Sequence, residues 1–184
     1  QRGGGTMRKF NGILARVVVV LFLIHAMMGC FMLQGRSSVS CFPLTILLLV
    51  TVIAHAILGV IATIKSVRSG GISGKWYLKQ NKVFWIKRVS GVSILLLLIF
   101  HMSVYVTSSN GVYFLKEFTW MSLVSQLLFV LAIFIHLYVS LEGMLIARGI
   151  LDHKERKKDW LLVLSVFMLM IIITIIMYFV QWQI

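Results

Sequence analysis

The sequence predicts an all-α integral membrane protein, a bundle of five transmembrane helices. Of its 184 residues 60% are apolar, 12% are charged and one is proline, whereas a soluble domain is usually about half apolar. Five apolar stretches reach the roughly 20 residues that a helix needs to cross hydrocarbon. Basic residues gather in alternate connections between those stretches, the bias that sets the orientation of a multi-pass chain.

The first span is expected over Ile13 to Leu33. Its run Val17-Val18-Val19-Val20-Leu21-Phe22-Leu23-Ile24 does not alternate apolar and polar residues, which excludes a barrel strand. It is about 20 residues long and no convincing small-x-small cleavage site follows it, so it is read as a permanent helix and not a removable signal. The remaining spans are expected over Leu44 to Ile64, Val89 to Val106, Trp120 to Ile146 and Trp160 to Trp182. Trp120, Trp160 and Trp182 stand at span ends, where tryptophan anchors a helix at the interface.

The net charge of +13 does not point to nucleic acid, because the basic residues lie between apolar runs and form no basic stripe with interleaved aromatics. Its partner is the lipid bilayer. Arg2, Arg8, Lys9 and Arg16, then Lys65 through Arg88, then Arg148 and Lys154 through Lys158 fall on one side, and the other keeps Arg36 and Lys116. The expected topology in a bacterial cytoplasmic membrane is an N-terminus in the cytoplasm and a C-terminus outside.

Residues Gln1 to Thr6, with Arg-Gly-Gly-Gly shortly before Met7, resemble a translated ribosome-binding site, and the natural chain is expected to start at Met7. Cys30 and Cys41 fall near the external end of the first hairpin, where a disulfide is one reading and two unrelated small apolar residues the other. Apart from Ser69-Gly70-Gly71-Ile72-Ser73-Gly74 no linker divides the chain, and a single membrane domain is expected. A thin internal repeat is legible: His55 is followed by Gly59 and Lys65, as His136 is followed by Ser140, Gly143 and Arg148. It suits two half-bundles and a capping fifth helix.

Four of the five histidines lie inside spans: His25 in the first, His55 in the second, His101 in the third and His136 in the fourth. An imidazole in hydrocarbon costs free energy unless paired, and an ionisable residue at that depth is functional by default. No intramembrane Lys or Arg and almost no acid accompanies them, which disfavours a proton relay. A neutral nitrogen ligand for iron is the role expected. Haem iron held by one histidine from each of two facing helices makes an electron carrier, and four histidines make two b-type haems.

Small residues one turn on, Gly29, Gly59 and Ser140, leave room for a porphyrin, although close helix packing uses the same residues. Interhelical hydrogen bonding without metal is the alternative for the histidines themselves. Counted from the basic ends, His101 lies far out and His136 nearer the cytoplasmic half. Depth does not order His25 against His55, and the pairs His25 with His101 and His55 with His136 are an expectation.

The segment Lys87-Arg88-Val89-Ser90-Gly91-Val92, with an apolar run into His101, resembles the Arg-x-Ser/Thr-Gly signature of succinate dehydrogenase and fumarate reductase cytochrome b subunits. The stretch His136-Leu137-Tyr138-Val139-Ser140-Leu141-Glu142-Gly143 resembles that family's second histidine helix, and the likeness covers most of Arg8 to Ile184. The resemblance implies a di-haem membrane anchor of the complex II type. It would dock a flavoprotein and an iron–sulfur subunit and exchange electrons with membrane quinone, menaquinone being favoured over ubiquinone. It also implies ligand pairing of first with third and second with fourth.

Carried over by position, Arg88 matches the family arginine near haem propionates and quinone, with Ser90 beside it. Lys87 stands where the family often has histidine, and Phe84 where it has a quinone-contacting serine. The two-haem relatives carry their ligands on helices one, two, four and five, whereas here they fall on one to four. Lys65, Lys87, Arg88 and Arg148 at cytoplasmic helix ends would neutralise propionates, or are ordinary positive-inside residues. Glu142, the one acid inside a span, is expected to take up a proton coupled to quinone chemistry or to form a salt bridge.

Other readings are an electron-transfer cytochrome b of the hydrogenase, formate dehydrogenase or ascorbate-reducing type, and a small haem-free transporter or scaffold. Nucleotide-binding glycines, a cysteine cluster and paired carboxylates are all missing from the sequence, so substrate chemistry is expected of partner subunits and a quinone site at most of this chain.

Overall fold

The structure is a computed structural model that describes residues 3–37, 42–71, 81–109, 112–146 and 156–184. The elements are α1 (Gly3–Leu33), α2 (Phe42–Gly71), α3 (Lys82–Val104), β1 (Val106–Ser109), β2 (Val112–Leu115), α4 (Trp120–Ile146) and α5 (Arg156–Gln183). All five helices are long and apolar enough to cross a membrane. The chain divides into two compact units, residues 1–80 and 81–184. The linker stretch read at Ser69 to Gly74 lies close to that boundary.

In the first unit α1 packs on α2. α1 ends in a Schellman turn: Arg36 N donates to Phe31 O at 2.9 Å, Gly35 N donates to Met32 O at 3.0 Å, and Gly35 holds φ +67°. Glycine suits that left-handed residue because it has no Cβ to clash. α2 then starts at Phe42 with Pro43 in its first turn, where a missing N–H costs nothing. Thr45 Oγ1 lies 3.4 Å from His25 Nδ1 and Lys65 Nζ donates to Met7 Sδ at 3.5 Å. These two contacts set α1 and α2 antiparallel. Cys41 lies outside the described residues, and with it the expected disulfide.

In the second unit α3 packs on α4 and α4 on α5. Leu164, Met168, Ile171, Ile175, Tyr178 and Phe179 are buried and recur at three- and four-residue steps, which puts them on one face of α5. On α4, which packs against α5, Leu123, Val130 and Leu141 are also buried. In lipid this packing is held by van der Waals contact, since hydrocarbon tails are as apolar as the side chains themselves. α4 starts at an N-cap: Ser122 N donates to Thr119 Oγ1 at 3.3 Å, which satisfies one of the helix's unpaired donors.

Two local features differ from the expected elements. α3 begins at Lys82, not at Val89, because a basic pair at an interface sits on a continuous helix as readily as at its end. α3 also stops at Val104, and an antiparallel hairpin follows, with Val106 opposite Leu115 and Ser109 opposite Val112. Runs rich in β-branched and aromatic residues, Val104-Tyr105-Val106-Thr107 and Val112-Tyr113-Phe114, favour strand over helix there.

Candidate functional site

Each unit carries two of the four intramembrane histidines, one per helix. In the second unit His136 of α4 faces the start of α3. Its Nδ1 lies 3.1 Å from Ser90 Oγ, and Ser90 is 6% exposed. The Ser90 hydroxyl donates its single hydrogen to Ile86 O at 2.7 Å. With its hydrogen so placed the hydroxyl accepts from His136, an assignment that puts the imidazole proton on Nδ1 and the lone pair on Nε2.

Gly91, the next residue, brings the α3 backbone against the same ring. A Cβ there would stand 3.4 Å from His136 Cε1 and 3.6 Å from Nδ1. Ser90 and Gly91, two neighbours in the Arg-x-Ser-Gly segment, thus orient and accommodate one imidazole. The two functions need different residue types, an acceptor hydroxyl and the smallest side chain.

His101, near the end of α3, makes a bond of the same kind in the opposite direction. Its Nδ1 lies 2.7 Å from Oε1 of Gln126 on α4. The ring packs against Phe129 at 4.9 Å between centroids and Tyr105 at 5.5 Å. Tyr105 continues into an aromatic cluster with Phe118 at 5.5 Å and Tyr178 at 6.0 Å.

These contacts put the two histidines at different depths. Ser90 and His136 face one another, as do His101 and Gln126, and each helix has ten or eleven residues between the two levels. At 1.5 Å per residue the levels are about 15 Å apart. The first unit repeats this spacing: Thr45 is level with His25, and His55 lies ten residues further along α2, again about 15 Å deeper. The order of His25 and His55, which distance from the flanking charges left open, is set by the α1–α2 register. In both units one histidine lies toward the turn joining its helix pair, and one toward the basic ends.

Among the described residues, the site residues predicted in the second unit, His101 apart, collect at the basic end of α3 and α4. Lys87 Nζ would stand 3.8 Å from a Cβ at Gly143, and Lys87 interacts electrostatically with Glu142. Arg88 Cζ stacks over the Phe84 ring at 5.0 Å from its centroid. Lys87, Arg88, Ser90, His136 and Glu142 thus share one polar patch on an otherwise apolar helix pair. Arg148 and His153 lie outside the described residues.

Sequence reasoning missed Thr45, Gly91 as a ring contact, and Gln126. Gln126 carried a usable signal, since an amide inside Leu123-Val124-Ser125-Gln126-Leu127-Leu128 is costly in hydrocarbon unless bonded.

Chemically, an imidazole whose Nδ1–H is held by an oxygen presents Nε2 as an oriented ligand, the arrangement usual at metal sites. Among the described residues no three His, Cys, Asp or Glu side chains gather as a bare metal ion would require. No family model matches the chain, and neither a curated protein nor a solved structure matches it.

Proposed function

We propose that the protein is a di-haem cytochrome b, a membrane anchor that carries electrons between quinone and a cytoplasmic iron–sulfur and flavoprotein pair, in the manner of succinate dehydrogenase and fumarate reductase. The observation that carries this reading is four imidazoles at membrane depth, one on each of the first four spanning helices, with the two of each unit about 15 Å apart along its helix pair. A porphyrin brings four nitrogens of its own, so two imidazoles suffice for each iron. The proposed pairs are His25 with His101 for one haem and His55 with His136 for the other: within its own unit each of His25 and His101 lies toward the turn, and each of His55 and His136 toward the basic ends.

Haem, when bound, would supply one-electron transfer. The chain's own residues set the terms of that binding. Ser90 holds His136 in the ligating tautomer, and Gly91 gives its ring room. Lys87 and Arg88 would supply positive charge for propionates or for a reduced quinone, and Glu142 acts electrostatically on Lys87. In a bacterial cytoplasmic membrane the basic ends face the cytoplasm, where the partner subunits dock.

The cross-helix bonds of His101 and His136 equally suit a haem-free scaffold or small transporter that uses histidine as interhelical glue. One measurement separates the two readings. Protein purified from its native membrane is expected to show Soret and α-band absorbance of b-type haem at two per chain, and to co-purify with a flavin-containing and an iron–sulfur subunit. A sample without iron porphyrin overturns the cytochrome reading.

A further inference from the structure

Gln126 is 1% exposed, within the largely apolar stretch Leu123-Val124-Ser125-Gln126-Leu127-Leu128 of α4. Burying an amide there is unfavourable unless its donors and acceptor are used. Their use is determined by a chain of hydrogen bonds along α4. Ser125 Oγ donates its only hydrogen to Ser122 O at 2.8 Å. Toward Gln126 it can therefore only accept, and Gln126 Nε2 donates to it at 3.2 Å. With the amide nitrogen committed to Ser125, the amide oxygen faces His101, and a carbonyl oxygen cannot donate. The 2.7 Å contact is a bond from His101 Nδ1–H to Gln126 Oε1.

We infer that Gln126 is the positioning residue of His101: it fixes the Nδ1–H tautomer, turns the ring, and presents the Nε2 lone pair to the haem near the turn level. The inference rests on the di-haem reading and assigns a role in it to a residue outside the ligand set. An acceptor on Nδ1–H also raises the donor strength of Nε2, which favours the ferric over the ferrous state. Gln126 therefore holds the potential of that haem below the value it would have with an apolar neighbour. Ser125 acts one step back, by orienting the amide.

The test is a redox titration, with haem content per chain, of purified full-length Gln126→Leu, Gln126→Glu and Ser125→Ala. Gln126→Leu keeps the volume and removes the acceptor; it is expected to move one haem to a more positive midpoint potential, or to lose it, with the second haem unchanged. Gln126→Glu offers an accepting oxygen in either protonation state and is expected to keep both haems, with that potential at or below the wild-type value. Ser125→Ala is expected to move the same haem in the same direction as Gln126→Leu by less, and it decides the matter where Gln126→Leu does not accumulate. Potentials and haem content equal to wild type in Gln126→Leu and Ser125→Ala overturn the inference while leaving the di-haem reading intact. If the wild type holds no haem the di-haem reading fails instead, and nitrogen NMR of His101 in that protein still tests the tautomer: Nδ1–H is expected, and Nε2–H overturns the role of Gln126.

Discussion

The His136 imidazole lies against the α3 backbone at Gly91, where an added Cβ would stand 3.4 Å from Cε1. That distance is at the tight edge of ordinary contact, so a methyl group fits only if the ring yields slightly, and anything larger must displace it. On the di-haem proposal, Gly91→Ala is expected to keep both haems with a small shift in one spectrum, and Gly91→Leu to lose the haem that His136 would hold. Equal haem content in Gly91→Leu and wild type would show that the close approach has no bearing on ligation.

On the di-haem proposal His101 and His136 are ligands, and removing either is the direct form of the same test. His101→Ala and His136→Ala are each expected to reduce haem from two per chain to one, because the two residues belong to levels about 15 Å apart and cannot share an iron. Haem content and the surviving α-band measure this. Two haems in both variants would show the ligand assignment to be wrong.

Thr119 caps α4 through its hydroxyl. Thr119→Ala is expected to cost about 1 kcal/mol, read as faster hydrogen exchange in the first turn of α4 with haem content unchanged. Thr119→Ser retains the acceptor and is expected to behave as wild type.

Phe118 is fully buried in the aromatic cluster beside Tyr105 and Tyr178, with ring centroids 5.5 Å and 5.2 Å away. Phe118→Ala is expected to lower stability by about 3 to 5 kcal/mol, seen as a reduced thermal midpoint in detergent. Phe118→Leu fills most of the space and is expected to lose less.

Lys87 and Glu142 attract one another at the basic end of the second unit. Both are half-buried, and part-solvated pairs of this kind are worth about 0.5 kcal/mol. A double-mutant cycle with Lys87→Met and Glu142→Gln is expected to return a coupling of that order. If Glu142 also carries the proton for quinone chemistry, Glu142→Gln is expected to slow quinone turnover without changing haem content.

The five spans and the four histidines were legible in the amino-acid sequence because hydrocarbon solvation is a property of local composition. Twenty apolar residues must be a helix whatever lies beside them, since the backbone has no water to bond. An imidazole among them is conspicuous for the same reason. Hydropathy was also why two details were missed. It cut α3 at the charged pair Lys87-Arg88, and it did not register the β-branched run that converts Val106 to Ser109 into a strand.

What each histidine faces was decided by tertiary structure alone. The choice of Thr45, Ser90 and Gln126 as oxygen neighbours, the contact of Gly91 with His136 and the depth order of His25 and His55 all depend on the register of one helix against its antiparallel neighbour. Side-chain packing and cross-helix hydrogen bonds set that register, and residues far apart in the chain meet only once it is chosen. No local pattern of hydrophobicity records it.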